Sequence, residues 1–435
     1  MKKNYIFSTL FVCVSLGISN LFSQSFSPIG PGNYTVLSNS VILDGNDVYA
    51  DGFFLNGSDM FTFGKYSGGV WNKLGNWGTT LISGAKKIDN YIYVYGAFTQ
   101  AMNDTNMRRI ARYNISTGNW EALGTGISNG YITNIVKWGS DIIICGSFTN
   151  AGGDPNADFI AKWDGNSFSA IGNQVVSTNS LTVVSALAVH NNELYVGGNF
   201  YTPTGVTNCL AKWDGNSFQP VYGWNTIGAV FEIAFDANGI LYIGGEFPQK
   251  IAKYNGNAWD YLGGFTTTGG YSYISKIVFM GNDVIVGGKF QDGNGNPAVD
   301  NIGKYNGSSW SDIGGGLNDK VKDIAISGAE IYIAGLFTDA GGNPAADKLV
   351  KYGNTSGIEN YPSYNDYSIF PNPNHGTFTI QSTKAGVYEL MDVTGKVINT
   401  YTITNTQQTI HENLPAGMYF MREKVSGGVQ KLIIE

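Results

Sequence analysis

Seven times along the chain an apolar run ends in one signature, glycine, any residue, phenylalanine: Gly52-Phe53-Phe54, Gly96-Ala97-Phe98, Gly146-Ser147-Phe148, Gly198-Asn199-Phe200, Gly245-Glu246-Phe247, Gly288-Lys289-Phe290 and Gly335-Leu336-Phe337. The signature returns about every 47 residues, the length of one supersecondary unit that must stack on copies of itself to bury its apolar face. Residues within a unit alternate apolar and polar, with Gly and Asn at the breaks, which suits strands and excludes stacked helices. A second landmark follows in every unit, a basic residue before an aromatic: Lys65-Tyr66, Arg112-Tyr113, Lys162-Trp163, Lys212-Trp213, Lys253-Tyr254, Lys304-Tyr305 and Lys351-Tyr352. A third is an aromatic shortly before Leu-Gly or Ile-Gly, as in Trp71 with Leu74-Gly75, Trp120 with Leu123-Gly124 and Trp310 with Ile313-Gly314. Ala161 to Phe168 and Ala211 to Phe218 are the same octapeptide, AKWDGNSF.

Four strands per unit can be assigned from these marks. An apolar stretch such as Val321 to Ile326 turns through Ser-Gly-Ala-Glu into Ile331 to Gly335; a longer loop leads to the strand around Lys348 to Tyr352, and a turn leads to a fourth strand carrying Trp or Phe. Asn-Gly between alternating apolar residues is a strong hairpin signal, because both turn positions take positive φ. Paired glycines, as in Gly197-Gly198 and Gly244-Gly245, are expected to let neighbouring units approach closely. The seventh unit stops at Gly353 without a fourth strand, yet Ser25-Phe26-Ser27-Pro28-Ile29-Gly30 matches Ser167 to Gly172, a fourth strand elsewhere. The expected fold is therefore all-β: a seven-bladed β-propeller, its N-terminal strand closing the last blade, plus a small C-terminal β-sandwich. Six blades plus an irregular strand is the competing arrangement, because Asp51 stands where later units usually have Gly. The apolar second strand ending in Gly-Gly, with a spaced Tyr and Trp as at Tyr113 and Trp120, resembles the Kelch repeat over about residues 26 to 353.

Lys2 and Lys3 followed by the apolar stretch Ile6 to Ile18 and by Leu21-Phe22-Ser23 predict a signal peptide over residues 1–24. Its apolar stretch is shorter than the ~20 residues a membrane span needs, so no transmembrane segment is expected after signal removal. The formal charge of −7 lacks the basic footprint that nucleic acid requires. Cys145 and Cys209 sit in apolar strand-like runs and read as small buried hydrophobes.

Residues 25–357 form the expected propeller domain and 358–366 a linker rich in Gly, Asn, Ser and Tyr. From 367 to 435 the pattern changes to short alternating strands. Pro371, Asn372, Pro373 and Gly376, then Val393-Thr394-Gly395-Lys396-Val397, Leu414 to Phe420 with Gly417 and Tyr419, and Lys431 to Ile434 closely resemble the type A C-terminal sorting domain of the type IX secretion system. That resemblance implies Sec-dependent passage to the periplasm, recognition by the type IX machinery, and an extracellular or outer-membrane surface location. Pro371 and Pro373 suit an extended opening segment and Gly417 a tight turn.

Kelch-like rings resemble the catalytic domain of galactose oxidase, but His190, His375 and His411 are the only histidines, and one histidine in the propeller cannot supply paired imidazoles for copper. His190, before Asn191-Asn192, reads as a solvated strand end. No nucleophile elbow, zinc helix or phosphate loop occurs, although 33 Asp and Glu residues leave an acid/base pair open. Asp292, Asn294, Asn296 and Asp300 alternate oxygen groups as calcium loops do, with Pro297 where such a loop has Gly; turn chemistry is the alternative. No other cofactor is expected. The loops leading from a fourth strand to the next unit carry Trp77, Tyr131, Trp224 and Tyr271, rings suited to stacking on a sugar or peptide, or else to capping blade packing. These features predict an exported binding protein for glycan or protein. The alternatives are a polysaccharide hydrolase using propeller carboxylates and a structural or adhesive surface protein.

Overall fold

The second and third repeat landmarks face each other across one strand pairing, Tyr66 opposite Trp71 and Tyr113 opposite Trp120. The computed structural model describes residues 24–30, 38–56, 59–77, 82–172, 183–201, 208–225, 227–266, 270–354, 367–382, 385–393, 396–404, 406–424 and 429–435. The signal segment before Gln24, the linker 358–366 and Gly395 lie outside the described residues. The chain divides into two units, Met1–Gly357 and Ile358–Glu435.

Among its described residues the larger unit holds seven four-stranded antiparallel sheets. In the first, Val41–Asp44, Asp47–Asn56, Asp59–Ser67 and Val70–Lys73 pair in sequence order. The next five repeat that order from the first strands Ile82–Ile88, Ile132–Trp138, Val183–His190, Val230–Phe235 and Tyr273–Met280. The seventh takes Val321–Ser327, Glu330–Gly335 and Leu349–Asn354 from the end of the repeats and Gln24–Pro28 from their beginning, with Phe26 opposite Tyr352. Turns between first and second strands are tight, as at Asn191-Asn192, where both residues have positive φ.

The landmarks have distinct physical jobs. The aromatic of the second landmark faces the fourth-strand aromatic across the pair, with ring centroids 5.4 Å apart for Tyr66–Trp71, 5.2 Å for Tyr113–Trp120 and 4.9 Å for Phe26–Tyr352. The basic residue beside it ion-pairs within its own sheet, as in Lys65–Asp47, Arg112–Glu121 and Lys351–Glu330. Being at the surface, such pairs add little stability. The phenylalanines of the signature, Phe98, Phe148, Phe200, Phe247, Phe290 and Phe337, are fully buried.

Leu-Gly and Ile-Gly mark contacts between successive sheets. Trp71 donates its indole N–H to the Ile29 carbonyl at 2.9 Å, Trp259 to Tyr222 and Trp310 to Leu262, each reaching back to the preceding sheet. A Cβ on Gly172 would lie 1.9 Å from the Trp213 ring, and one on Gly314 would lie 2.4 Å from Phe26. The sixth sheet thus meets the seventh through Gly314 and Phe26, and the seventh meets the first through Ile29 and Trp71. First strands follow the same circuit, each touching those of the sheets before and after, with Val321–Ser327 touching Val41–Asp44.

The paired glycines divide their work. A Cβ on Gly197 would meet Val230 of the next sheet at 2.7 Å, as expected; one on Gly198 would stand 2.2 Å from the Val183 carbonyl of its own sheet. That carbonyl is pushed inward because six of the first strands carry a β-bulge, at Ser83, Thr133, Ser185, Phe231, Ser275 and Lys322.

In the smaller unit one sheet is ordered Tyr367–Phe370, Thr377–Ser382, Gln407–His411, the other Val397–Ile403, Gly386–Met391, Gly417–Glu423, Val429–Ile434. Tyr367, Phe378 and Ile380 from one and Tyr388, Leu390, Met421 and Leu432 from the other form a single apolar cluster.

Candidate functional site

All seven first strands line one cavity of 310 Å³. The bulges set its chemistry, because one extra residue re-aims the side chain next to it. Gly84, Asn134, Glu232, Lys276 and Asp323, each next after a bulge, all reach its wall. Bulge hydroxyls tie neighbouring sheets: Thr133 donates to the Val184 carbonyl at 2.6 Å and Ser275 to the Val321 carbonyl at 2.8 Å.

Charges from four sheets meet in this space. Lys276 Nζ lies 3.0 Å from Asp323 and 3.6 Å from Glu232, and the second Asp323 oxygen accepts the Val41 amide at 3.0 Å. Glu232 and Asp323, on the cavity wall, keep only 14% and 16% of their side-chain surface. Burial opposes the Lys276 ammonium, but Asp323 and Glu232 outweigh it and raise its pKa above the ordinary lysine value. Glu232 is raised by burial more than Lys276 and Lys86 lower it. Lys86, opposite, is lowered by burial and by repulsion from Lys276. Tyr95, from a second strand, fills the room that Gly84 leaves: a Cβ on Gly84 would meet its hydroxyl at 2.8 Å.

Asp51, the departure from the Gly pattern, is a buried acceptor hub. One oxygen accepts from the Asn39 amide, the Ser40 amide at 2.7 Å and the Ser40 hydroxyl at 2.7 Å, and the other from the Asn39 side chain. Asn39 also donates to the Ile82 carbonyl of the second sheet, so Asp51 fixes a link between sheets. Burial pushes the Asp51 pKa up to about 6, against the Ser40 and Asn39 hydrogen bonds. Between about pH 4 and 6 the folded chain then holds a proton that the unfolded chain has released, so this group's contribution to stability falls as pH rises through that window. Denaturant unfolding of wild type and Asp51→Asn should show the difference moving toward wild type by about 1 kcal/mol between pH 7 and pH 5. An unchanged difference would refute the assignment.

The loop aromatics separate into two groups. Trp77 and Trp224 are 3% and 7% exposed. Trp77 stands edge-on to Phe98 and Trp120 and bonds the Leu74 carbonyl, while Trp224 packs on Phe247 and Trp259. Packing fully employs both rings, so neither offers a face for a ligand. Ile127, Phe265 and Leu317 occupy the same slot after the corresponding glycines and are buried too, a signal that the slot is a plug. Tyr131 and Tyr271 are exposed, at 39% and 62%. Tyr131 lies two residues before the bulge Thr133, so it stands within ~7 Å of chain from the cavity wall.

In the acidic loop, Asp300 accepts the Asp292 amide at 2.9 Å, Asn296 the Ala298 amide at 3.0 Å, and Asp292 the Thr266 hydroxyl at 2.8 Å. Asn294 has a positive φ of 52°. Asp158 and Asp347 close their own loops as Asp300 does. Among the described residues no group of three His, Cys, Asp or Glu is placed to hold a metal ion. His190 ends its strand half-buried, stacked on Phe235 at 4.3 Å, and Cys145 and Cys209 are buried thiols.

In the smaller unit the opening motif grips the last strand. Asn372 donates to the Lys431 carbonyl at 2.6 Å and accepts the Ile433 amide at 2.8 Å. Asn374 reaches the Ile433 carbonyl through its amide at 3.0 Å and caps the Gly376 amide with its side chain. Pro371 and Pro373 follow cis peptide bonds and lie in a bend rather than the extended run expected. Gly376, at φ +85°, packs where a Cβ would be 2.4 Å from the Glu412 carbonyl. Gly417 makes no tight turn: it opens a strand opposite Ile434, outside the left-handed region and with ordinary room for a Cβ. Tyr419 bonds back to the Pro415 carbonyl at 2.9 Å, and Lys396 closes a turn with Asp392.

Residues 368–435 match the family described as secretion system C-terminal sorting domain. No curated protein matches the chain. Among solved structures, the extracellular domain of the putative hybrid two-component system BT4673 from B. thetaiotaomicron is similar at 12% identity and a TM-score of 0.50, over 95% of this chain and 59% of that one. This chain thus spans 59% of that relative's length. A catalytically inactive virginiamycin B lyase from Staphylococcus aureus with quinupristin (12% identity, TM-score 0.46, 76% of this chain and 99% of that one) and YCF48 from Cyanidioschyzon merolae (11%, 0.46, 77% and 100%) are also similar. The likeness to the first of these carries the fold alone, all-β and β-propeller-like. No helix among the described residues is long and apolar enough to cross a membrane. The chain therefore ends in a sorting tail of the type IX secretion system, which implies export to the cell surface or extracellular space.

Proposed function

We propose that the protein is an exported, non-enzymatic binding protein whose larger unit is a seven-bladed, Kelch-like propeller and whose smaller unit is a β-sandwich sorting domain. Residues 1–24 serve as the signal peptide for Sec passage, 358–366 as a linker, and the type IX machinery then recognises the tail. Glycan or protein is bound on the face where the loops entering the first strands carry Tyr131 and Tyr271. The match of residues 368–435 to a sorting domain is the observation that carries this reading, because it makes the remaining residues cargo destined for the outside. Binding is favoured over polysaccharide hydrolysis by Lys276. A hydrolytic pair must flank the scissile bond, whereas Glu232 and Asp323 share one ammonium between them.

The test is fractionation of a host with type IX secretion that expresses the full chain or a chain ending at Asn354. The full chain should reach the surface or medium and the shortened one should stay in the periplasm. Equal export of both would refute the sorting role. A glycan and protein screen on the exported full chain should return a ligand that is bound unchanged; turnover of a polysaccharide would favour the hydrolase instead.

A further inference from the structure

Once its internal bonds are made, the central cavity is left with donors and few unused acceptors. Glu232 is engaged by Lys276, and Asp323 by Lys276 and the Val41 amide. Of the four lysines on the wall, Lys276 has these carboxylates and Lys87 has Asp44 at 2.7 Å. Lys86 and Lys322 have no ion pair or hydrogen bond among the described residues, and neither do the hydroxyls of Ser83 and Ser185 nor the side-chain N–H groups of Asn134. Glu232 and Asp323 act on Lys86 only across the cavity, and Asp51 on Lys322 likewise, with no direct contact. A half-buried ammonium that no acceptor touches costs stability, so two of them on one wall favour an acceptor from outside.

Size and wall chemistry narrow that acceptor. The volume of 310 Å³ lies at the small end of the ~300–1,000 Å³ typical of ligand pockets, room for one ring rather than a chain. Hydroxyl and amide groups that both donate and accept suit a polyol, and Phe231, whose ring meets that of Tyr273 at right angles with centroids 5.6 Å apart, adds an aromatic residue to the same wall, of the type sugars stack on. We propose that the cavity binds a single acidic sugar, a hexuronate, with its carboxylate on Lys86, its hydroxyls on Asn134, Ser83 and Ser185, and its ring against Phe231. The proposal rests on reading the larger unit as a binding module and does not depend on the export route.

Calorimetric titration of the purified full chain decides it, with glucuronate, glucose and sulfate as probes. Glucuronate should bind, with glucose and sulfate each at least about tenfold weaker. Lys86→Met should weaken glucuronate by at least about tenfold, while its melting temperature holds or rises because an unpaired buried charge has gone. A merely structural lysine would lower the melting temperature instead. Absence of glucuronate binding, equal binding of glucose or sulfate, or full affinity in Lys86→Met overturns the proposal. If Lys86→Met fails to fold, the comparison of glucuronate with glucose on wild type still decides. A ligand found by the wider screen with no glucuronate binding would sink the acidic-sugar site and leave the binding function standing.

Discussion

A chain lacking residues 24–30 should self-associate beyond the wild-type state and lose more than about 4 kcal/mol of unfolding free energy, because two different losses coincide there. Phe26 is 5% exposed, meets the Tyr352 ring at a tilt and packs in the cluster built on Ile313, Ile324 and Ile333; removing a buried Phe alone costs about 3–5 kcal/mol. Ile29 belongs to the neighbouring cluster with Val41 and Trp71, and its carbonyl takes the Trp71 indole. The segment therefore fills the seventh sheet and seals it to the first. Without it, Leu349–Asn354 becomes an edge whose backbone N–H and C=O groups can pair with another chain. Light scattering should show a larger particle than wild type, and adding a peptide of residues 24–30 should restore the wild-type size. The same peptide carrying Phe26→Ala should fail to do so. A truncated chain that keeps the wild-type size and melts as wild type would show that the segment is not structural.

That closure was legible because Phe26 to Gly30 repeats Phe168 to Gly172 in residue type, and pairing of like segments needs no knowledge of the rest of the fold. The same holds for the basic-aromatic marks, whose two jobs, an ion pair and a ring contact, are local to one sheet. Legibility ended where the physics became non-local. Lys86, Glu232, Lys276 and Asp323 sit in four strands that look alike, and no spacing rule tells that one-residue bulges turn three of them onto a shared wall. Asp51 was visible as a break in pattern, but its four donors were not. Trp77 and Trp224 were legible as loop aromatics; whether a loop ring faces water or the core depends on the slot it fills, and Ile127 and Leu317 in that slot were the available clue. In the tail, Asn372 and Asn374 explain why the first and last parts of the sorting motif occur together: one fastens the other.

Lys276→Met should destabilise the full chain by about 3 kcal/mol at pH 7, since removing one partner of a buried ion cluster leaves the others uncompensated. Glu232 and Asp323 would then share the cavity as two carboxylates without the ammonium that now touches both. Glu232, already raised by burial, would lose the ammonium that pulls it down and rise further, so the deficit should grow with rising pH through the carboxylate range and shrink at pH 5. Neutralising the remaining partners should recover most of the loss: in Lys276→Met with Glu232→Gln and Asp323→Asn no charge of the triad is left unpaired, and the Asn oxygen can still accept the Val41 amide. Denaturant unfolding of wild type, the single variant and the triple variant at the two pH values separates this account from simple loss of packing. If the triple variant is no more stable than the single one, or the deficit ignores pH, the lysine holds the centre of the ring by its methylene stem and not by its charge.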